Sequence, residues 1–269
     1  MVEVRALDLG EPDLVVHEPD LDLTARRELA HGAVVGGHVD RLAVGHVVHG
    51  EDVVGGDGTI LSALRHFAGT SVPVFAVNFG AIGFLATVEP SELEDGLRRA
   101  LTGEIDAMEL PGLVLTTADG DRMAVNDVSF HRRPNSRVAI LGYSVRGDQL
   151  GQVRCDGLVA ATPVGSTGYN LANGGPILAW GVEGYVVSFI APHTLTARAL
   201  VVAPDDVLTV HNESDREPVA VATDNRSVCE LPPGAEVEVR FVHDEVRLAQ
   251  VEGANFYHRI REKFGRLAY

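Results

Sequence analysis

The sequence predicts two domains in series: an α/β N-terminal domain with a parallel sheet, then a β-rich C-terminal domain. Three observations carry that prediction. Two apolar runs each end in a glycine-rich turn: Val53-Val54 before Gly55-Gly56-Asp57-Gly58, and VPVFAV (72–77) before Asn78, Gly80 and Gly83. Consecutive strands that end this way point to a parallel sheet with its ligand crevice at the carboxyl ends. From Glu109 to about Gln250 the helical period is lost and short alternating segments replace it. The tail EGANFYHRIREKFGRLAY then regains helical spacing, with Phe256, Ile260 and Phe264 on one face. The expected limits are 1–106 for the α/β domain, with the tail 251–269 packing back on it, and 107–250 for the β-rich domain.

In chain order, the first 50 residues are the least legible. DLTARRELA (22–30) has a helical look, with Asp22 or Thr24 as a cap. The valine- and glycine-rich stretch after it carries His31, His38, His46 and His49. Their spacing matches no ligand set and no cysteine joins them, so they read as surface or loop histidines and no metal-ligating residues are assigned. Glu51–Phe67, EDVVGGDGTILSALRHF, is a short strand, a glycine turn and an apolar helix opening at Thr59. Such a junction presents free backbone N–H groups and the positive end of a helix, which suits phosphate. Asp57 inside it would repel phosphate, so its carboxylate is better used to take a proton from an attacking hydroxyl or to hold a phosphate-bridging metal. No lysine follows as in the GxxxxGK[ST] loop, and the pattern is not GxGxxG. Ser91 to Glu94 reads as a capping box for a helix that stops at Gly103.

The second domain reads as strands at LVLTT (113–117), MAVNDVSFHR (123–132), VAILGYSV (138–145), VLTV (207–210), PVAVAT (218–223) and EVEVRFV (236–242). Ala118-Asp119-Gly120-Asp121 and Gly147-Asp148 are turns between them. At its centre lies CDGLVAATPVGSTGYNLANGGPIL (155–178), an apolar strand leading into a glycine- and hydroxyl-rich loop. Exposed N–H groups and hydroxyls there can contact a nucleotide, and Tyr169 can pack on a ring. An ordinary polar loop is the competing reading of that stretch taken alone.

Composition narrows the class. The 22 basic residues face 38 acidic ones, a net charge of −16, which argues against nucleic acid or an acidic membrane as a partner. Lys263 is the sole lysine; an acid-rich, lysine-poor surface suits concentrated salt, where repulsion is screened. Cys155 and Cys229 have no ligand spacing and fit a reducing interior. No apolar run reaches the ~18 residues of a membrane helix and the start lacks a signal-peptide profile, so a soluble, cytoplasmic protein is expected.

GGDGT (55–59), NFGAIGFL (78–85), NDVSFHR (126–132), DGLVAATPVGSTGY (156–169), GGPI (174–177) and APHTL (191–195) stand in an order and spacing that resemble the NAD kinase family. The resemblance covers about residues 51 to 230; the first 50 residues lack it. It implies phosphorylation of the adenosine-ribose 2′-hydroxyl of NAD to NADP by ATP, or in some members polyphosphate, with Mg²⁺ or another divalent cation accompanying ATP. It implies a two-domain fold with NAD between the domains, in a homodimer or homotetramer. By position, Asp57 would be the catalytic aspartate, and Gly55, Gly56 and Gly58 would accommodate phosphates. Asn126 and Asp127 match the family's Asn-Glu pair; Asp156, Thr167, Gly168 and Tyr169 match the loop around the dinucleotide; Arg137 and Arg154 occupy positions of basic contacts. The chain departs from the family at Val164 (usually Ser or Thr), Gly168 (Ala), Ala172 (Ser), Asp127 (Glu) and Asp224-Asn225 (Asp-Gly). Each lost hydroxyl removes a hydrogen bond worth ~0.5–1.5 kcal/mol, which bears on NAD affinity and on the choice between NAD and NADH. The alternative on the same scaffold is a non-catalytic NAD-binding regulator.

Overall fold

A computed structural model describes residues 57–78, 84–251 and 256–265, together with the strand backbones at 4–5, 15–16, 33–38 and 41–46. Two compact units result: residues 1–109 with 245–269, and residues 110–244. In the first, β1 (Val4–Arg5) pairs antiparallel with β2 (Val15–Val16), and β3 (Ala33–His38) with β4 (Arg41–His46). The valine- and glycine-rich stretch that the sequence left unassigned is thus a hairpin, with His38 and His46 at its strand ends. The helix expected at 22–30, the strand at Val53-Val54, and Gly55-Gly56 all lie outside the described residues.

Helix α1 spans Asp57–His66 and starts two residues before the expected Thr59; Ile60, Leu61, Ala63 and Leu64 form its buried face. Strand β5 (Pro73–Ala76) follows, its Val74, Phe75 and Ala76 inaccessible to solvent. It pairs antiparallel with β3, Val35 opposite Phe75. Helix α2 (Leu93–Thr102) corrects the capping-box reading. A 3₁₀ turn at Pro90–Glu92 precedes it, its N-cap is Glu92, and no side chain caps it; instead the Glu92 carboxylate accepts the Glu89 N–H at 3.2 Å. Its other end is as expected: Gly103 adopts φ 78, a left-handed cap that suits glycine.

The second unit is two packed antiparallel sheets entered through β6 (Ile105–Thr117), which pairs with β7 (Gly120–Ala124). One sheet runs β13-β12-β11-β8-β15-β16, built from β8 (Asp127–Arg132), β11 (Gly157–Ala161), β12 (Tyr185–Ile190), β13 (Leu200–Val202), β15 (Val219–Thr223) and β16 (Arg226–Leu231). The other holds β9 (Ala139–Val145), β10 (Asp148–Cys155), β14 (Leu208–Asn212) and the first half of β17 (Glu236–Val251). Alternation decides which side chains face inward. In β15, Val219, Val221 and Thr223 are buried while Ala220 and Ala222 are half-buried. Leu113, Phe130, Leu141, Leu158, Tyr185, Leu208 and Val239 meet between the sheets, each burial stabilising by roughly 1.5–3 kcal/mol. Strand β11 is buried throughout because both its faces are covered: Leu158 and Ala160 look into this core, Val159 and Ala161 onto Leu178 and Val186. It delivers the chain straight into the loop at Thr162.

The second half of β17 belongs to the first unit, where it pairs parallel with β5, Leu248 opposite Val74. The last helix, α3 (Phe256–Phe264), lays Phe256 and Phe264 against Phe84 with ring centroids 6.0 and 5.8 Å apart, and buries Ile260. No helix among the described residues is long and apolar enough to cross a membrane.

Candidate active site

The first unit holds Asp57 at the start of α1. Its two carboxylate oxygens accept backbone N–H groups from the neighbouring segment: Phe84 N to Oδ2 at 3.0 Å and Leu85 N to Oδ1 at 3.1 Å. A carboxylate gripped through both oxygens cannot rotate freely, yet two of its roughly four lone-pair positions meet no donor among the described residues. The segment 84–86 is itself held by Arg259 of α3, which donates through Nη1 to the Phe84 carbonyl at 2.8 Å and to the Ala86 carbonyl, and through Nη2 to Gln250. Gly58 lies on the exposed side of α1, with open space where a Cβ would stand. Asn78 donates to both carboxylate oxygens of Glu89 at 3.1 and 2.9 Å, and Lys263 pairs with the same group at 2.7 Å. Asn78, a candidate from its glycine-rich turn, is therefore engaged in local pairing.

The second unit brings Asn126, Asp127, Gly168 and Tyr169 together. The turn between β15 and β16, Asp224-Asn225, has positive φ at both residues (45 and 61), the geometry of a two-residue hairpin. It points the Asp224 carboxylate at three successive N–H groups: Val125 at 3.0 Å, Asn126 at 2.7 Å and Asp127 at 3.2 Å. From the other side Thr162 donates its N–H to the Asn126 carbonyl at 2.9 Å and its hydroxyl to the Val125 carbonyl at 2.7 Å. Gly165 presses on the same backbone, where an added Cβ would stand 2.0 Å from the Asn126 carbonyl oxygen. So the main chain of Asn126 is fixed from both sides, while its side-chain Oδ1 is buried with no hydrogen-bond donor among the described residues.

Asp127 is 6 % exposed, and its carboxyl takes no hydrogen bond among the described residues. Burial, and next the Asp224 carboxylate, push it up to about 7. Tyr169 stacks on His131 with centroids 5.6 Å apart and planes 16° from parallel. Burial lowers the His131 pKa, favouring the neutral ring. Burial raises the Tyr169 phenol, with Asp127 and Asp156 adding to it. Asp156 is paired with Arg132 at 2.6 Å, whose hydrogen bond holds the carboxyl below its usual range.

The loop after β11 is braced by its own hydroxyls. Ser166 donates to the Pro163 carbonyl and accepts the Leu178 N–H, while Thr167 donates to the Val164 carbonyl. Asn170, wholly buried, donates to the Ser166 and Pro176 carbonyls at 3.0 and 2.9 Å. Val164 is buried; Ala172 is exposed on the helical turn Tyr169–Ala172. Arg137 and Arg154 are exposed and form no ion pair among the described residues. Gly55 and Gly56 lie outside them. No cluster of three or more His, Cys, Asp or Glu suited to a metal occurs among the described residues.

Sequence reasoning missed Arg259, Arg132 and the clamping role of Asp224. An Asp-Asn pair between two alternating runs is a hairpin signal. Arg259 stands three residues after Phe256 and next to Ile260, a basic residue on an apolar face.

Comparison with known proteins agrees in both halves of the chain. Residues 52–105 match the ATP-NAD kinase N-terminal domain and residues 125–251 the ATP-NAD kinase C-terminal domain. The NAD kinase of Gemmatimonas aurantiaca is 36% identical over 220 residues, 79% of this chain and 75% of that protein. The NAD kinase of Natranaerobius thermophilus is 30% identical over 256 residues, 93% of this chain and 89% of that one. A yeast NADH kinase complexed with NADH shares the fold at TM-score 0.71 and 24% identity, covering 80% of this chain and 67% of that one. An NAD kinase from Archaeoglobus fulgidus in complex with ATP superposes at TM-score 0.64 and 25% identity, covering 78% and 79%. With matches to both domains and relatives this similar over most of their length, the chain belongs to the ATP-NAD kinase family, whose members are transferases.

Proposed function

We propose that this NAD kinase moves the terminal phosphoryl group of ATP to the 2′-hydroxyl of the adenosine ribose of NAD, with Asp57 taking the hydroxyl proton. The ribose oxygen forms the new P–O bond, the bond to the ADP leaving group breaks, and the proton passes to the Asp57 carboxylate. The observation that carries this reading is the grip of the Phe84 and Leu85 N–H groups on Asp57, which leaves an oriented carboxylate acceptor. Phosphoryl transfer depends mostly on positioning and charge neutralisation, so a fixed acceptor is what the chain has to supply. Gly58 supports the reading too, since nothing among the described residues fills the space beside it and a phosphate could approach closely.

Asn126, Asp127, Gly168 and Tyr169 are the groups we assign to the dinucleotide. The unpaired Asn126 Oδ1 suits an amino or hydroxyl donor, and the exposed face of Tyr169 suits a ring. Near neutrality the Asp127 carboxyl carries its proton part of the time and can donate as well as accept. Mg²⁺ would accompany ATP as part of that substrate, and no step is routed through it. A non-catalytic regulator is disfavoured, because an oriented carboxylate at Asp57 serves no sensing role. A homodimer or homotetramer, a cytoplasmic location and adaptation to high salt complete the proposal.

The test is NADP formation from NAD or NADH with Mg²⁺ and ATP or polyphosphate, in high KCl. Asp57→Asn should abolish turnover with NAD binding and thermal unfolding intact. Turnover at the normal rate in that variant would remove Asp57 from the mechanism.

A further inference from the structure

Arg259 is the most deeply placed cation described: 9 % exposed, with burial lowering its pKa and Asp57 first among the carboxylates that oppose this. A guanidinium taken out of water needs acceptors, and it finds them on the short segment that holds Asp57. Its Nη1 donates to the carbonyls of Phe84 and Ala86, and its Nη2 to Gln250 Oε1. The Phe84 carbonyl and the Leu85 N–H belong to one peptide group. Arg259 Nη1 meets the oxygen end at 2.8 Å, and Asp57 Oδ1 meets the nitrogen end at 3.1 Å. The guanidinium, peptide and carboxylate thus form one line of hydrogen bonds. Each bond polarises the next, so the peptide donates more strongly to Asp57 than a free one would.

We propose that Arg259 is a positioning residue for phosphoryl transfer, fixing the Asp57 carboxylate through the Phe84–Leu85 peptide. It rests on the reading of Asp57 given above. Two features separate it from a plain structural ion. Arg259 contacts the same peptide that Asp57 contacts. Gln250, whose amide Nε2 donates to the Ala249 carbonyl at 2.9 Å, fixes the direction from which the guanidinium approaches. Helix α3 thereby reaches the chemistry without offering a group to the substrate.

The experiment compares Arg259→Gln, Arg259→Lys and Asp57→Asn in NADP formation, with NAD binding followed by calorimetry and folding by circular dichroism. Glutamine keeps a donor and loses the charge; lysine keeps the charge and loses the fork. For Arg259→Gln we expect kcat to fall tenfold or more, with KM and Kd for NAD within about twofold of the parent and the fold retained. Lysine should recover part of kcat. Unchanged kcat in folded Arg259→Gln, alongside a dead Asp57→Asn, overturns the positioning role and leaves the reading of Asp57 standing. Normal turnover in Asp57→Asn overturns both. A loss of kcat in Arg259→Gln matched by an equal loss of NAD binding also overturns it, because that is general damage. If Arg259→Gln does not fold, Gln250→Met takes its place: it removes the Nη2 bond to Gln250 and spares the Nη1 bonds. Reduced kcat at unchanged KM then supports the role, and parental kcat overturns it.

Discussion

Replacing Asp127 by asparagine should make the protein more stable at high pH and less able to use NAD. The carboxyl is 6 % exposed, pairs with no donor among the described residues and shares its surroundings with the Asp224 carboxylate. Its pKa therefore rises from 3.8 to about 7 on folding. Between those values the folded chain binds a proton that the unfolded chain has released, so this group makes stability fall as pH rises through the window. The whole shift is about 3 pK units, or about 4 kcal/mol. Between about pH 5 and about pH 8 the wild type should lose about 3 kcal/mol that the asparagine variant keeps. Denaturant unfolding read through Trp180, the sole tryptophan and buried in the same unit, follows this directly. Parallel pH dependence in the two proteins would refute the reasoning, as would a wild type that gains on the variant with rising pH. The same variant should raise KM for NAD, since the asparagine can no longer lose a proton.

Two further outcomes are expected. Gly165→Ala should destabilise the second unit by at least about 2 kcal/mol and weaken NAD binding, because its Cβ would collide with a main-chain oxygen of Asn126 that is clamped and cannot retreat; a variant with parental denaturation midpoint and KM would contradict the geometry. The thermal midpoint should rise steeply with KCl, because a net charge of −16 repels itself until salt screens it; a midpoint flat from low to high KCl would count against salt adaptation.

How much of this was legible in advance differs by element. The strands of the second unit were readable because period-2 burial is a local property: PVAVAT and VAILGYSV write their inward and outward faces into the sequence. Asp57 and the 162–169 loop were readable because glycines and hydroxyls at fixed spacing leave few uses for a chain. The hairpin at 33–46 was not, since its pattern of valines and glycines lacks strict alternation. The capping box failed for a different reason: a 3₁₀ turn at Pro90–Glu92 takes up Ser91, so the helix starts one residue later than a Ser91 cap requires. Arg259 and Asp224 lie 202 and 98 residues from the groups they hold, Asp57 and Asn126, and nothing local marks such partnerships. The parallel partner of β5 is similarly remote: it is β17, near the far end of the chain.

That last pairing has a consequence for how the protein is made. The second unit is one continuous stretch, 110–244, whose residues are all synthesised before the first unit is complete. The first unit is split, and its sheet gains β17 and its aspartate gains the Arg259 brace only once residues 245–265 have been synthesised. Synthesis in the N-to-C direction thus favours completing the second unit first and the first unit last. Until that final stretch emerges, a nascent chain lacks both the β17 pairing and the Arg259 brace on the segment that holds Asp57, so the completed first unit arrives as a late event in the life of each molecule.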